Sequence, residues 1–378
     1  VIMNITIIGG GPAGLYFSYL IKRDNPDYNV SLIEQNPQNA TFGFGVVFSD
    51  RALEFLRADD EYAYKYLSPH MRSWSDLKIV HNDKHMAIDG NGFAAIGRLE
   101  FLNLLQKLCL SVDVKLEFNT TIKSLKEFNN SDLIVACDGV NSNVRNSLSS
   151  EFKTKETILQ NPFIWFGTSK VFDCLSLTFR ENTEGVFCAH HYPYSSNMST
   201  FIVETNASTY KNAGFAEMNS EESRVYCEKV FSKDLDNHIL LSNKSEWRWF
   251  PQIWNDNWSS NNIVLIGDSL HTAHFSIGSG TRLAMEDAIS LYKSVKANSN
   301  DIDEAIVQYE RNRRPQLEKL VSASVASAHW YEKMDILMRT LSPYEFARSY
   351  MTRTGRISDE KLKKIAPRFM KEYTLNQT

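Results

Sequence analysis

The chain has 378 residues, 43% of them hydrophobic and 23% charged, with a formal net charge of -4. That is more chain than one small core needs, and it suits two interleaved globular domains. The mild negative charge gives no pull toward nucleic acid, and no apolar run reaches the roughly 20 residues of a membrane span.

Asn4–Ile8 is a short β-branched run, followed at once by Gly9-Gly10-Gly11-Pro12-Ala13-Gly14. Leu15–Lys22 reads as a helix and Val30–Ile33 as a strand ending in Glu34, a βαβ opening. The pattern then predicts a helix over Asp50–Leu67, a helix over Arg98–Leu110, a strand over Val112–Phe118 and a buried strand over Leu133–Ala136. Phe163–Thr168, Leu175–Arg180, Val186–His190 and Ser199–Glu204 look like successive antiparallel strands. The parallel-strand signal returns at Ile263–Ile266, and from Thr281 the chain is mostly helical. The class is therefore α/β: a Rossmann-like domain, an inserted, mainly antiparallel β-sheet domain and a helical C-terminal part. Cys109, Cys137, Cys174, Cys188 and Cys227 form no CxxC pair, which argues against structural zinc and suits a cytoplasmic protein. The histidines, including His190-His191, lack the acidic spacing motifs of a metal site, and none is expected.

Three motifs carry chemistry. Gly9, Gly11 and Gly14 form a GxGxxG between strand and helix, where Pro12 and Ala13 begin the helix and its N-terminus can take a pyrophosphate. Glu34 stands where an acid accepts hydrogen bonds from an adenosine ribose. This turn alone does not separate FAD from NAD. Asp138-Gly139-Val140-Asn141-Ser142-Asn143-Val144-Arg145 spells DGxxSxxR after a buried strand. Gly267-Asp268 follows the strand at Ile263–Ile266 and leads through His274-Phe275 to Gly278-Ser279-Gly280-Thr281.

In these motifs and their order the chain resembles the group A flavin-dependent aromatic hydroxylases. The resemblance implies FAD as cofactor, NAD(P)H as transient reductant, and O2 added at flavin C4a as a hydroperoxide that attacks an electron-rich ring. It implies cofactor contacts at Asp138 and Asp268 and beside Gly278, Gly280 and Thr281, and it places Arg98, at a helix start, close to the cofactor. Phe275 and Arg282 depart from the family's usual Pro and Asn, so the wall over the ring is expected to differ. The expected FAD-binding segments are 1–75, 93–158 and 262–300; 76–92 and 159–261 form the substrate domain, and 301–378 is helical.

His271–Thr281, Leu283–Ala288, Trp165–Thr168, Ser199–Glu204 and Met351–Arg356 further resemble the branch that hydroxylates salicylyl- and anthraniloyl-CoA. Part of that likeness is shared with the indole hydroxylases of violacein biosynthesis. The expected substrate is thus a small aromatic molecule, CoA-linked, carrier-linked or free. His190, His274 and Phe275 are the expected catalytic residues, with Trp165, Tyr192 and Tyr194 as substrate contacts. A neutral histidine could accept a proton from a ring hydroxyl or amino group. The basic groups at Arg311, Arg313, Arg314 and Lys319 and at Arg353, Arg356, Lys361, Lys363 and Lys364 read as solvated helix faces. A monomer or homodimer is expected. Competing readings are a flavin-dependent halogenase, for which Trp247-Arg248-Trp249-Phe250-Pro251 is an incomplete signature, or oxidase, and a non-catalytic FAD-binding scaffold.

Overall fold

A computed structural model describes residues 2–50 and 53–377. Its first sheet has six strands in the order Ser259–Ser260, Ile263–Leu265, Leu133–Ala136, Asn4–Ile8, Asn29–Ile33 and Lys115–Glu117. All its pairings are parallel except that of Ser259–Ser260. Parallel strands need both faces covered. Helices Pro12–Asp24, Arg98–Ser111 and Gly280–Ala297 pack together to supply that cover, and Leu15, Phe17, Leu105 and Leu291 are fully or almost fully buried with the strand residues. Each such apolar side chain contributes about 1.5–3 kcal/mol on burial.

The second sheet is built mainly from the middle of the chain. Leu240–Ser242, Thr154–Thr168, Ser199–Thr205, Gly185–Pro193, Ser176–Asn182, Leu77–His81 and Lys84–Ile88 lie in that order, and Arg248–Asn255 also pairs with Thr154–Thr168. Alternation assigns its two faces. Phe166, Phe187, Ala189, Phe201 and Val203 form one core with the helix Ser220–Val230. Leu177, Phe179, Cys188 and Tyr192 belong to another, with the C-terminal helices Pro343–Met351 and Pro367–Leu375. The long helix Ile302–Glu332 runs beside Gly280–Ala297 and ends at this second face. A small third sheet, Gly45–Phe48, Phe93–Gly97 and Arg72–Trp74, was not foreseen.

Three expected elements change shape. The helix expected over Asp50–Leu67 is two short helices, Glu54–Arg57 and Glu61–Leu67, because Asp60 turns the chain and caps the second by accepting from the Ala63 N–H at 3.0 Å. Residues 51 and 52 of that stretch lie outside the described residues. The strand expected over Val112–Phe118 shrinks to Lys115–Glu117, since Val112 caps the preceding helix and Asp113 turns with φ +63°. The strand at Phe163–Thr168 instead begins at Thr154, with an irregularity between Ile158 and Pro162. In its first half it pairs with Arg248–Asn255, and in its second with Ser199–Thr205.

Candidate active site

Gly9 leaves its strand with φ +114°, and a β-carbon there would lie 2.1 Å from the Cys137 carbonyl oxygen. The N-terminal turn and the strand before Asp138 therefore touch backbone to backbone. Gly11 caps the helix Pro12–Asp24 with no side-chain partner, and a β-carbon on it would meet nothing within 4 Å. Helix-end N–H groups thus face open space, the geometry an anionic group uses. Glu34 accepts from the Gly10 and Asn36 N–H groups at 2.6 and 2.9 Å, which fixes its carboxylate beside the turn with lone pairs to spare. These residues line a groove of about 710 Å³ with Arg98, Asp138, Gly139 and the segment 120–126. Sequence reasoning missed that segment, which carries no motif.

The DGxxSxxR run is mainly a brace. Asp138 accepts from the Ser142 hydroxyl, the Asn143 N–H at 2.9 Å and the Val144 N–H at 3.3 Å. Arg145, 1% exposed, donates to the Ser269 carbonyl at 3.0 Å and the Val140 carbonyl at 2.5 Å. The arginine therefore ties this turn to the Gly267-Asp268 turn. Asp138 reaches the groove wall with its carboxylate already engaged by its own loop.

Beneath Gly267 lies a buried charge cluster. Asp287 accepts from the Gly267 N–H at 3.0 Å, from His271 Nε2 at 2.6 Å and from Arg313 Nε at 2.8 Å. Burial pushes the Asp287 carboxyl up, but His271 and Arg313 outweigh it and hold it below the usual carboxylate range. The cluster presents Asp268, whose side chain is exposed between buried neighbours. Arg98 is half-buried; its Nε donates to Thr41 Oγ1 at 3.0 Å, and the Asp268 carboxylate attracts its guanidinium. The Ser49 N–H donates to the Gly278 carbonyl at 2.9 Å, setting the start of the helix Gly280–Ala297; the hydroxyl of its cap, Ser279, lies 2.6 Å from Ser49 Oγ and donates to the Ile277 carbonyl at 3.2 Å rather than bonding a helix N–H. Gly280 and Thr281 begin that helix.

The structure divides the six expected substrate-facing and catalytic residues into two groups. His190, His274 and Phe275 meet: the Phe275 ring lies 4.7 Å from Phe163, 5.1 Å from His190 and 4.2 Å from His274. Phe250 and Tyr331 complete this aromatic wall. Trp165, Tyr192 and Tyr194 pack instead against the loop at Gly43–Gly45. The Tyr192 hydroxyl donates to the Gly45 carbonyl at 2.8 Å, and burial raises its pKa, so it stays a donor committed to that loop.

Sequence reasoning also missed Glu204. His190 Nε2 lies 3.1 Å from Glu204 Oε1, and both side chains are at least 95% buried. Asn161 donates to the other Glu204 oxygen at 2.8 Å. The signal was present as an acid in the inward phase of an apolar strand, Phe201-Ile202-Val203-Glu204, but its partner depends on sheet register. His274 is buried, and desolvation pulls its pKa down to about 4, so it is neutral at pH 7. Its Nδ1 lies 2.7 Å from the Ser276 hydroxyl. His191, one residue from His190, points to the opposite face beside Thr178. Trp247 is packed in the far core and Trp249 is exposed, so both tryptophans of the incomplete halogenase signature lie away from the aromatic wall, which only its Phe250 joins.

Comparison with known proteins fits this geometry. The sequence profile for an FAD binding domain matches residues 113–324, and that for an NAD(P)-binding Rossmann-like domain matches residues 7–74. The chain is 37% identical to salicyloyl-CoA 5-hydroxylase of a Streptomyces species, over 93% of this chain and 70% of that protein. It is 32% identical to the 3-hydroxy-4-methyl-anthranilyl-[aryl-carrier protein] 5-monooxygenase of Streptosporangium sibiricum, over 94% and 95%. The crystal structure of 2-methyl-3-hydroxypyridine-5-carboxylic acid oxygenase shares the fold at a TM-score of 0.73 and 16% identity, covering 97% of this chain and 96% of that one.

Proposed function

Because this chain belongs to the FAD-dependent aromatic monooxygenases, we propose that it hydroxylates an aromatic acid presented as a thioester of CoA or a carrier protein. The observation that carries the reading is the 37% and 32% identity, over nearly the whole chain, to relatives whose names specify a CoA and a carrier-protein substrate. Bound FAD, reduced by NAD(P)H, supplies the activation of O2; one oxygen atom enters the ring and the other leaves as water.

The chain's own residues bind, orient and exclude water. The Gly9–Gly14 turn and the helix behind it would take the pyrophosphate, and Glu34 the ribose. Arg98 and Asp268 would flank the ribityl chain, and the Gly278–Thr281 turn would border the flavin ring with its backbone N–H groups. Asp138 would act mainly by holding its turn, whose carboxylate contacts are internal.

At the substrate, Glu204 would accept a hydrogen bond from His190 Nε2–H, which leaves Nδ1 as the acceptor for a ring hydroxyl or amino group. Accepting that proton raises the ring's electron density where oxygen attacks. Phe275, Phe163 and Phe250 would keep the cavity dry, and neutral His274 would hold the loop through Ser276. The buried, free cysteines suit a reducing compartment such as the cytoplasm.

The test is NAD(P)H oxidation with salicyloyl-CoA against free salicylate, with product mass read out. The expected result is a product heavier by one oxygen atom from the thioester, with the free acid at least about tenfold worse in kcat/KM. Equal or better turnover of the free acid contradicts the reading.

A further inference from the structure

On the outer side of the loop that carries His274 and Phe275 lies a second cleft, of about 430 Å³. Its inner wall is Ser276, Ile277 and Ser279 of that loop, and its lining mixes apolar Phe93, Leu320 and Met351 with polar Ser49, Asn91 and Gln316. Its mouth is basic. Arg356 and Lys361 line it, and Arg356 continues into a shallower groove with Lys319. Among the described residues, none of these three side chains has a carboxylate within ion-pair distance, and all three are exposed. The nearby acids are spent elsewhere: Glu286 on Arg282 and Arg313, Glu318 on Arg314, Asp359 on Arg348. Two other cations at the cleft are structural. Arg282 pairs with Glu286, and Arg353 donates to Ser327 Oγ at 2.7 Å and the Ser276 carbonyl at 3.1 Å while lying over the Tyr350 ring.

A cleft of mixed lining that ends in unpaired cations suits a long, uncharged arm carrying amide and hydroxyl groups and terminating in phosphate. We propose that this cleft receives the pantetheine arm of the thioester substrate, with its phosphate held at the mouth by Lys319, Arg356 and Lys361. This rests on the thioester reading above. The two sites share one loop: Ser276, Ile277 and Ser279 line the cleft, and the adjoining Phe275 faces His190. Arg353 sets that wall by binding the Ser276 carbonyl, so it is a positioning residue here.

The test compares wild type with a K319A/R356A/K361A variant on three thioesters of salicylate: with CoA, with a phosphopantetheinylated carrier protein and with pantetheine, which has no phosphate. Expected is a wild-type preference of about tenfold or more in kcat/KM for the phosphate-bearing thioesters over the pantetheine thioester, lost in the variant and weakened by salt. Loss with both CoA and carrier supports the proposal, because they share that phosphate; loss with CoA alone overturns it, because the cations would then serve the nucleotide phosphates. A wild type that turns over all three equally, or a variant that keeps the preference, overturns the proposal while leaving the thioester reading intact. Wild type active on free salicylate and on none of the thioesters overturns that reading instead.

Discussion

A β-carbon at Gly11 would meet nothing within 4 Å, whereas one at Gly9 would sit 2.1 Å from the Cys137 carbonyl in a backbone with φ +114°. The two glycines therefore serve different purposes. Gly9 lets two strand ends approach each other, and Gly11 leaves room for what binds. Gly11→Ala should fold with an unchanged urea midpoint as apoprotein, because its backbone is extended and its surroundings are empty. The same variant should bind FAD about ten- to a hundredfold more weakly in a fluorescence titration. Unaltered FAD affinity would remove Gly11 from the cofactor site.

The strand Gly185–Pro193 places His190 and His191 on opposite faces, and they experience opposite surroundings. His190 meets the Glu204 carboxylate. His191 is buried among Phe172 and Phe201, and desolvation lowers its pKa to about 3 from an ordinary 6.5. The sign follows directly. Between those two values the unfolded chain binds the proton and the folded chain does not, so stability falls as pH falls through this window. His191 alone contributes a slope of up to about 1.4 kcal/mol per pH unit below pH 6. His191→Asn should flatten the dependence of unfolding free energy on pH between 6 and 4.5 by about that amount in urea titrations. An unchanged slope would mean that His191 takes up its proton in the folded protein.

Over the whole molecule, what could be read from sequence was what lies close together in the chain. The GxGxxG turn, Glu34, DGxxSxxR and Gly267-Asp268 each fit within a few residues of a strand end, so their spacing carries their meaning. Pairings across long distances were not legible. His190 finds Glu204 through sheet register, Asp287 finds Arg313 through the packing of two helices, and Arg145 joins turns more than a hundred residues apart. The same limit divided the aromatic set: Trp165, Tyr192 and Tyr194 look like His190 in sequence, yet they are taken by the loop at Gly43–Gly45. Basic residues read as one solvated face also separate, with Arg313 buried on Asp287 and Lys319 left at a cleft mouth.

With FAD held between the N-terminal turn and the Gly267-Asp268 turn, the protein would insert one atom of O2 into an aromatic ring. The most direct measurement is turnover of salicyloyl-CoA with NAD(P)H under isotopically heavy O2, with FAD identified in the protein after heat release. One heavy oxygen atom in the aromatic product and one NAD(P)H consumed per product formed are expected. Product oxygen derived from water, or NAD(P)H consumed with only peroxide released, would contradict that reaction.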